Sequence, residues 1–508
     1  MLPRLKWALC LAFCLRSLVF IAAIFWVRDV SVFHAKDTAS YLQPAKELLT
    51  QGSFSTHGVP EIIRTPGYPL FLCPGILINH VELLTIILQI ALSCLTVSLV
   101  FGITRQVFAD EKIAVSSALF YAIEPLSIIY SCWLLSDTLF ITLLAAALYF
   151  FIPLLCLEPK LPRKTNDRSS RKLQSATRGM LIYAGAAEAQ RSKKKFGLLV
   201  LSALFLVAAI YVRPIGYLLP VIFTTVLIFR GIACNRNNRR KSFAFIAQAC
   251  LFILLTMSLL SLWHMRNNEI TGYGGFSAAA EFNLYFHQSA ALKASQQNQP
   301  FYQVLDEMGF YTSEKYFANH PEQLNWSAAQ RYDFMRDEGL RAVISAPVTF
   351  AQIYLKGILI VLIDPGVSDY LRLFRLYPVS GKAMNSIVSL GVFTTAANFV
   401  TTNPLLVFWA LVFGVILFAY YLLALPGLMG QLENKMPVLL LLLTSIYLIA
   451  LAGGTMGAGR FRAPVMVFIS IFAGRGLTIA LANRKVMSER FGAILHETAL
   501  GLRILSRR

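Results

Sequence analysis

Charge is scarce in this chain. Only 14% of its 508 residues are charged, and the 26 acidic residues are outnumbered by 46 lysines and arginines. A formal charge of +20 could suggest a nucleic-acid partner, but the basic residues gather in the stretches between apolar runs and at the chain ends. That is the pattern of a membrane protein oriented by its loops, so no nucleic acid is expected. Cysteine patterning is missing too. Cys10, Cys14, Cys73, Cys94, Cys132, Cys156, Cys234 and Cys250 mostly fall in or beside apolar runs, with no C-x-x-C spacing and no histidine partners. Neither a disulfide framework nor a zinc site is implied. His34 and His57 lack a third ligand, and no metal is expected. The first apolar run has no small-residue cleavage site and carries Arg16 in its interior, so it reads as a retained helix and not a signal peptide. Lipidation and retention motifs are absent. There is no internal repeat of the kind many transporters carry, and no large polar domain follows the last apolar run.

What the chain does have is length of apolar sequence. Hydrophobic residues make up 56% of it, with a mean hydropathy of +0.61, and the apolar runs repeatedly reach the roughly 20 residues that cross a bilayer. The expected class is an all-α polytopic membrane protein with about 12 spans, within a range of 11–13, and external juxtamembrane helices. The basic loops put both termini in the cytoplasm. The chain divides into residues 1–263, carrying a first external loop over 28–67, an external subdomain over 264–345, and a membrane part with a short basic tail over 346–508. Within this scheme Ile113 to Leu157 is expected to be a hairpin of two spans turning outside. Pro347 to Ile363 is read as a span going in, followed by an inner loop with Arg372, Arg375 and Lys382 and a weak span over Met384 to Thr402.

The first external loop is too polar to span and too patterned to be a tail. Asp37 precedes Tyr41, Ala45, Leu48 and Leu49, a spacing that gives a short helix one apolar face. Asp37 then sits at the helix N-terminus, where a carboxylate is favoured and could be a cap and nothing more. Arg64-Thr65-Pro66-Gly67-Tyr68-Pro69 joins a fixed cation to a rigid turn just before the next membrane entry. Arginine at such a boundary suits a phosphate. The topology also places Glu61, Glu124, Asp137, Arg213, Arg266, Asn267, Arg460 and Arg462 on the Asp37 side. Ionisable groups near membrane depth are costly and are usually paired or functional.

The early Asp with Tyr41 four residues on, a helix ending near Gly52, and R-T-P-G-Y-P-L-F-L resemble the first loop of GT-C membrane glycosyltransferases, family 39-like. This group includes the protein O-mannosyltransferases and aminoarabinose transferases. The resemblance continues in Y-V-R-P (Tyr211 to Pro214), W-H-M-R-N (Trp263 to Asn267) and G-R-F-R-A-P (Gly459 to Pro464). It implies a GT-C bundle and an inverting transfer of a sugar from a polyprenyl-phosphate carrier to a protein, lipid A or cell-surface glycan, at the outer face of the bacterial cytoplasmic membrane. Asp37 matches the catalytic base and Asp137 the second acidic position. Tyr41, Glu61, Arg64, Tyr68, Glu124, Arg213, Arg266, Asn267, Arg460 and Arg462 are the candidate substrate-binding residues. The blander roles are a satisfied turn carboxylate for Glu124, a headgroup anchor for Arg64, and interfacial snorkelling for Arg460 and Arg462. A monophosphate leaving group can be neutralised by Arg and Lys, so no cofactor is required beyond the donor lipid. The other readings are a secondary transporter or flippase, and an O-antigen ligase-like enzyme with a diphosphate-linked donor.

Overall fold

Inside a bilayer every backbone amide must be satisfied within its own segment, and a helix does this without a partner. The structure, a computed structural model, describes residues 2–156, 174–235, 239–377, 403–430 and 434–483, and among these almost all regular structure is helical. Eight helices are long and apolar enough to cross a membrane, or nine if one bent pair is taken together. The chain is an all-α polytopic membrane protein.

Helix α1 (Leu2–Val27) ends where a 3-10 turn and Asp37 begin the first loop. The loop carries α2 (Thr38–Gln51), which stops at Gly52 in a left-handed conformation, and a hairpin pairing Ser55–Thr56 with Val59–Pro60. His57 and Gly58 at the hairpin's tip both have positive φ, as a two-residue hairpin turn prefers. A short apolar helix α3 (Gly67–Leu77) then leads into the spanning helix α4 (Val81–Phe108). Gly67 is required there, because a Cβ would sit 2.6 Å from the Tyr211 carbonyl carbon.

The next segment departs from the expected hairpin of two spans. Helix α5 (Glu111–Ala122) has 12 residues, about 18 Å of rise against a hydrocarbon core of about 30 Å. The chain breaks at Glu124-Pro125 into the one-and-a-half-turn α6 (Pro125–Tyr130), and α7 (Asp137–Leu155) completes the return. Arg16 stabilises the break from the middle of α1. Its guanidinium donates to the Ala122 carbonyl at the end of α5 (2.9 Å), to Ser127 Oγ (2.8 Å) and to Ser93 Oγ (2.7 Å). Gln89, two turns down α4, donates to the carbonyls of Trp133 and Ser131. The stretch leading to Asp137 therefore packs about 12 Å below the start of α4.

Helix α8 (Gln174–Val212) begins within the basic stretch Lys160 to Lys195, where the charge pattern predicts a loop, and rises to Arg213. Helices α9 (Leu219–Asn235) and α10 (Arg239–Thr271) follow, α10 running on to Thr271 within the stretch expected as the external subdomain. That part is built of short helices around Tyr285, Phe286, Val304, Leu305, Met308 and Tyr316 and ends in α11 (Ala328–Ser345), opened by a Ser327–Gln330 capping box. Helix α12 (Pro347–Ile363) turns from it by 102°.

Here the expected inner loop is corrected. After Asp364 and α13 (Val367–Leu373), Arg375 pairs with Asp29, two residues past the end of α1. Tyr370 Oη donates to the Pro125 carbonyl and Tyr130 Oη to Asp369. Arg372 and Arg375 thus lie at the Asp37 end of the bundle, and α12 does not carry the chain to the far end. Composition misled because an apolar helix bent across the bundle has the same residues as one that crosses. Helices α14 (Pro404–Met429), α15 (Lys435–Leu451) and α16 (463–483) finish the bundle. Lys382, the span expected over 384–402, the loop residues 160–173 and the terminal tail lie outside the described residues.

Candidate active site

The first loop is held by its carboxylates. Glu47 receives Ser55 Oγ (2.6 Å), the His57 amide (2.6 Å), Gln43 Nε2 (2.8 Å) and the Gly58 amide (3.2 Å), pinning the hairpin to α2. The hydrogen bonds from Ser55 and Gln43, then those from the backbone, bring its carboxyl down to about 2. Glu61 receives the amides of Ile63 (2.7 Å) and Arg64 (2.9 Å) and Thr56 Oγ1 (2.8 Å), which fixes the turn that presents Arg64. Arg266 clamps the carbonyls of Glu61 (2.7 Å) and Phe54 (2.8 Å) and lies over the Trp263 ring. Asn267 donates to Gly275 and Phe276. Arg266 thus fastens the first loop, shaped by Glu61, to α10, while Asn267 ties α10 to the turn that follows it.

Asp37 makes no side-chain cap to α2. Its carboxylate instead accepts from Arg460 Nη1 (2.7 Å), with Arg64 Nη2 at 3.5 Å. Asp137 accepts from Arg460 through Nε (3.0 Å) and Nη2 (2.9 Å), and from Arg213. One guanidinium, Arg460, therefore bridges two carboxylates contributed by the first loop and by the start of α7. Burial pushes the Asp37 carboxyl up, but the nearby charges of Arg460 and Arg64 outweigh it and hold it below its usual range.

Around this centre Arg64 donates to Ser40 Oγ (3.0 Å) and Tyr41 Oη (3.3 Å), with its guanidinium 4.6 Å from the Tyr41 ring. Tyr41 Oη meets Ser136 Oγ (3.1 Å), and its ring meets Tyr68 edge-on at 5.0 Å. Tyr68 is fully buried and donates to Gln89 Oε1, so it supports Tyr41 from below. The two arginines of Gly459-Arg460-Phe461-Arg462 point apart. Arg460 enters the carboxylate pair, while Arg462 donates to the carbonyls of Val361, Leu362 and Asp364 at the end of α12. Glu124 accepts the Leu126 and Ser127 amides, capping α6.

The site as folded brings together Asp37, Asp137, Tyr41, Arg64, Arg213 and Arg460, with Tyr68 behind. Glu61, Glu124, Arg266, Asn267 and Arg462 serve the frame. The sequence reading did not single out Asp364, whose carboxylate accepts the Gly459 amide (2.7 Å) and so sets the turn bearing Arg460. Its Asp-Pro-Gly context was the available signal. Exposure separates the two acids. The Asp37 side chain is 36% exposed and that of Asp137 0%. Breaking a buried pair such as that of Asp137 costs about 3–5 kcal/mol, whereas a partly solvated pair such as Asp37 with Arg64 is worth about 1 kcal/mol or less. Asp137 is the fixed counter-charge, and Asp37 is the acid that another molecule can reach.

Beside the cluster lies an apolar cavity of about 580 Å³ between α3, α7, α8 and α10, lined by Leu70, Phe71, Leu143, Leu204, Val207 and Leu259 among others. Its wall includes Gly67, Leu139 and Val212, each within three residues of Arg64, Asp137 or Arg213. Among the described residues no group of three or more His, Cys, Asp or Glu could hold a metal ion.

Fold and site together define a polytopic membrane protein with a carboxylate–arginine centre where polar loop meets apolar cavity. Against known proteins, no family model matches the chain and no curated protein sequence matches it. It is similar to the solved oligosaccharyltransferase of Archaeoglobus fulgidus in the apo form, with 15% identity over 97% of this chain and 52% of that one, at a TM-score of 0.48. It is also similar to the archaeal oligosaccharyltransferase AglB from that organism in complex with an inhibitory peptide and a dolichol-phosphate (13% identity, 95% and 52%, TM-score 0.44). A third likeness is to ArnT from Cupriavidus metallidurans bound to undecaprenyl phosphate (13% identity, 91% and 77%, TM-score 0.34). The chain spans about half the length of the oligosaccharyltransferase chains.

Proposed function

We propose that this chain is a GT-C-type glycosyltransferase. It moves a sugar from a polyprenyl-phosphate carrier to an acceptor hydroxyl or amine at the outer face of a bacterial cytoplasmic membrane, with Asp37 as general base. The observation that carries the reading is the charge balance of the site. Asp37 and Asp137 against Arg64, Arg213 and Arg460 leave one net positive charge. A polyprenyl-phosphate sugar is a phosphodiester with one negative charge, so the bound donor makes the site neutral.

The reaction preserves that neutrality. The acceptor oxygen or nitrogen attacks the anomeric carbon as its proton passes to Asp37, and the bond from the anomeric carbon to the phosphate oxygen breaks. The departing polyprenyl phosphate gains a second negative charge while Asp37 loses its own. Arginine suits this task because its fork can follow phosphate oxygens as their charge grows. Arg460 has a second consequence. In the ligand-free site it neutralises the base, and a carboxylate so held is weakly basic. A phosphate that recruits Arg460 frees Asp37 when the donor is in place. The apolar cavity, whose wall comes within three residues of Arg64, Asp137 and Arg213 along the chain, gives the isoprenoid chain a place beside its phosphate. The arginines supply the neutralisation, so the proposal assigns no step to a metal.

Binding of undecaprenyl phosphate to the protein in lipid nanodiscs tests the donor class. Arg64→Gln and Arg460→Gln combined are expected to weaken it at least tenfold. Equal binding of the neutral alcohol, undecaprenol, would overturn the reading, since the arginines would then have no phosphate to recognise.

A further inference from the structure

His287 stands out among the described histidines. It is 8% exposed, and its Nδ1 has no hydrogen-bond partner among the described residues. The rings of His34, His264 and His320 by contrast all meet polar partners. His287 lies in a π-helical stretch, Asn283–Ser289, of the external part, a geometry that often marks functional positions. The aromatic rings of Phe310 and Phe282, at 5.1 and 6.3 Å, hold the imidazole in place.

Its backbone is tied to the active-site turn. Thr455 Oγ1 donates to the His287 carbonyl (3.1 Å) and lies 3.3 Å from Gln288 Oε1. Thr455 is five residues before Arg460, whose guanidinium grips Asp37. Burial lowers the His287 imidazole below its usual range, and the one charge acting against that is the carboxylate of Asp37. A neutral imidazole offers one donor and one acceptor nitrogen. The arginines that can take a phosphate come from the first loop and the span ends. His287 comes instead from the external part, the side from which an acceptor must approach.

We infer that His287 is an acceptor-binding residue, its unpartnered imidazole hydrogen-bonding the incoming nucleophile and aligning it with Asp37 and the anomeric carbon. The inference rests on the glycosyltransferase reading above and deepens it.

The test compares wild type, His287→Ala and His287→Gln, purified from the same membranes. The two readouts are undecaprenyl phosphate affinity and the fraction of copurifying polyprenyl-phosphate lipid that still carries sugar. His287→Ala is expected to bind undecaprenyl phosphate within twofold of wild type, which also reports a folded site. It should turn over its sugar-loaded lipid about tenfold more slowly, with part of the rate restored in His287→Gln. Wild-type turnover in His287→Ala would overturn the inference, as would a tenfold loss of undecaprenyl phosphate affinity, which would assign His287 to the donor or to the frame. If no polyprenyl-phosphate lipid is bound by wild type at all, it is the underlying reading that fails.

Discussion

At the scale of single residues, the arrangement separates two carboxylates that sequence alone cannot rank. Both Asp37 and Asp137 stand at the start of a helix, so each reads as a possible cap. The structure removes the cap role from Asp37 and gives both acids to Arg460. Arg460 thereby sets the basicity of Asp37. With two guanidinium groups near it the carboxyl titrates below its ordinary range, so it is ionised at neutral pH and through mild acid. Removing a positive charge raises a carboxyl pKa. In Arg460→Gln the acid limb of the kcat/KM profile, which reports the ligand-free enzyme, is accordingly expected to move to higher pH, together with a lower maximal rate from the lost phosphate contact. A lower rate with an unmoved acid limb would detach Arg460 from the base.

At the scale of elements, the two places where the expected topology fails have the same cause. Hydropathy reports apolar length, and both the broken α5–α6 unit and the bent α12 have enough of it. What stops them from crossing is polar bonding between distant residues. Arg16 satisfies the end of α5 at mid-bundle, and Arg462 with Asp364 closes the end of α12 at the active-site turn. Such contacts leave no local trace beyond a lone charge in an apolar run. The first loop, by contrast, was legible. The Tyr41 spacing, Gly52 and the Arg64 turn are local signals, and α2, its left-handed stop and the presentation of Arg64 follow them. Glu61, Arg266 and Asn267, expected among the substrate-binding residues, bond to backbone groups of the first loop and of the turn after α10, and motif spacing does not say whether a polar group faces a cavity or a neighbouring backbone group. The placement of Arg375 beside Asp29 is testable. A cysteine at position 375 should be labelled by an impermeant maleimide from the same side as a cysteine at Ser53 in the first loop. Labelling from opposite sides would restore the expected inner loop.

At the scale of the whole molecule, the bundle collects at one end three groups from distant parts of the chain. The first loop contributes Asp37 and Arg64, the start of α7 and the residue after α8 contribute Asp137 and Arg213, and the turn between α15 and α16 contributes Arg460. An apolar cavity opens beside them, and the segment of short helices over residues 272–345 meets the turn before Arg460 through the His287–Thr455 contact. On the proposed function, this layout would hold a lipid by its charged head and meet a second molecule from the polar side. Mass spectrometry of the lipids that copurify with wild type, Asp37→Asn and Asp137→Asn tests that layout and its chemistry together. Wild type is expected to carry bare polyprenyl phosphate. Asp37→Asn should retain the sugar-loaded form, and Asp137→Asn should retain less of it while unfolding at a lower temperature. If Asp37→Asn turns its lipid over like wild type, Asp37 is not the base. If none of the three binds a polyprenyl-phosphate lipid, the carboxylate–arginine centre serves some other ligand.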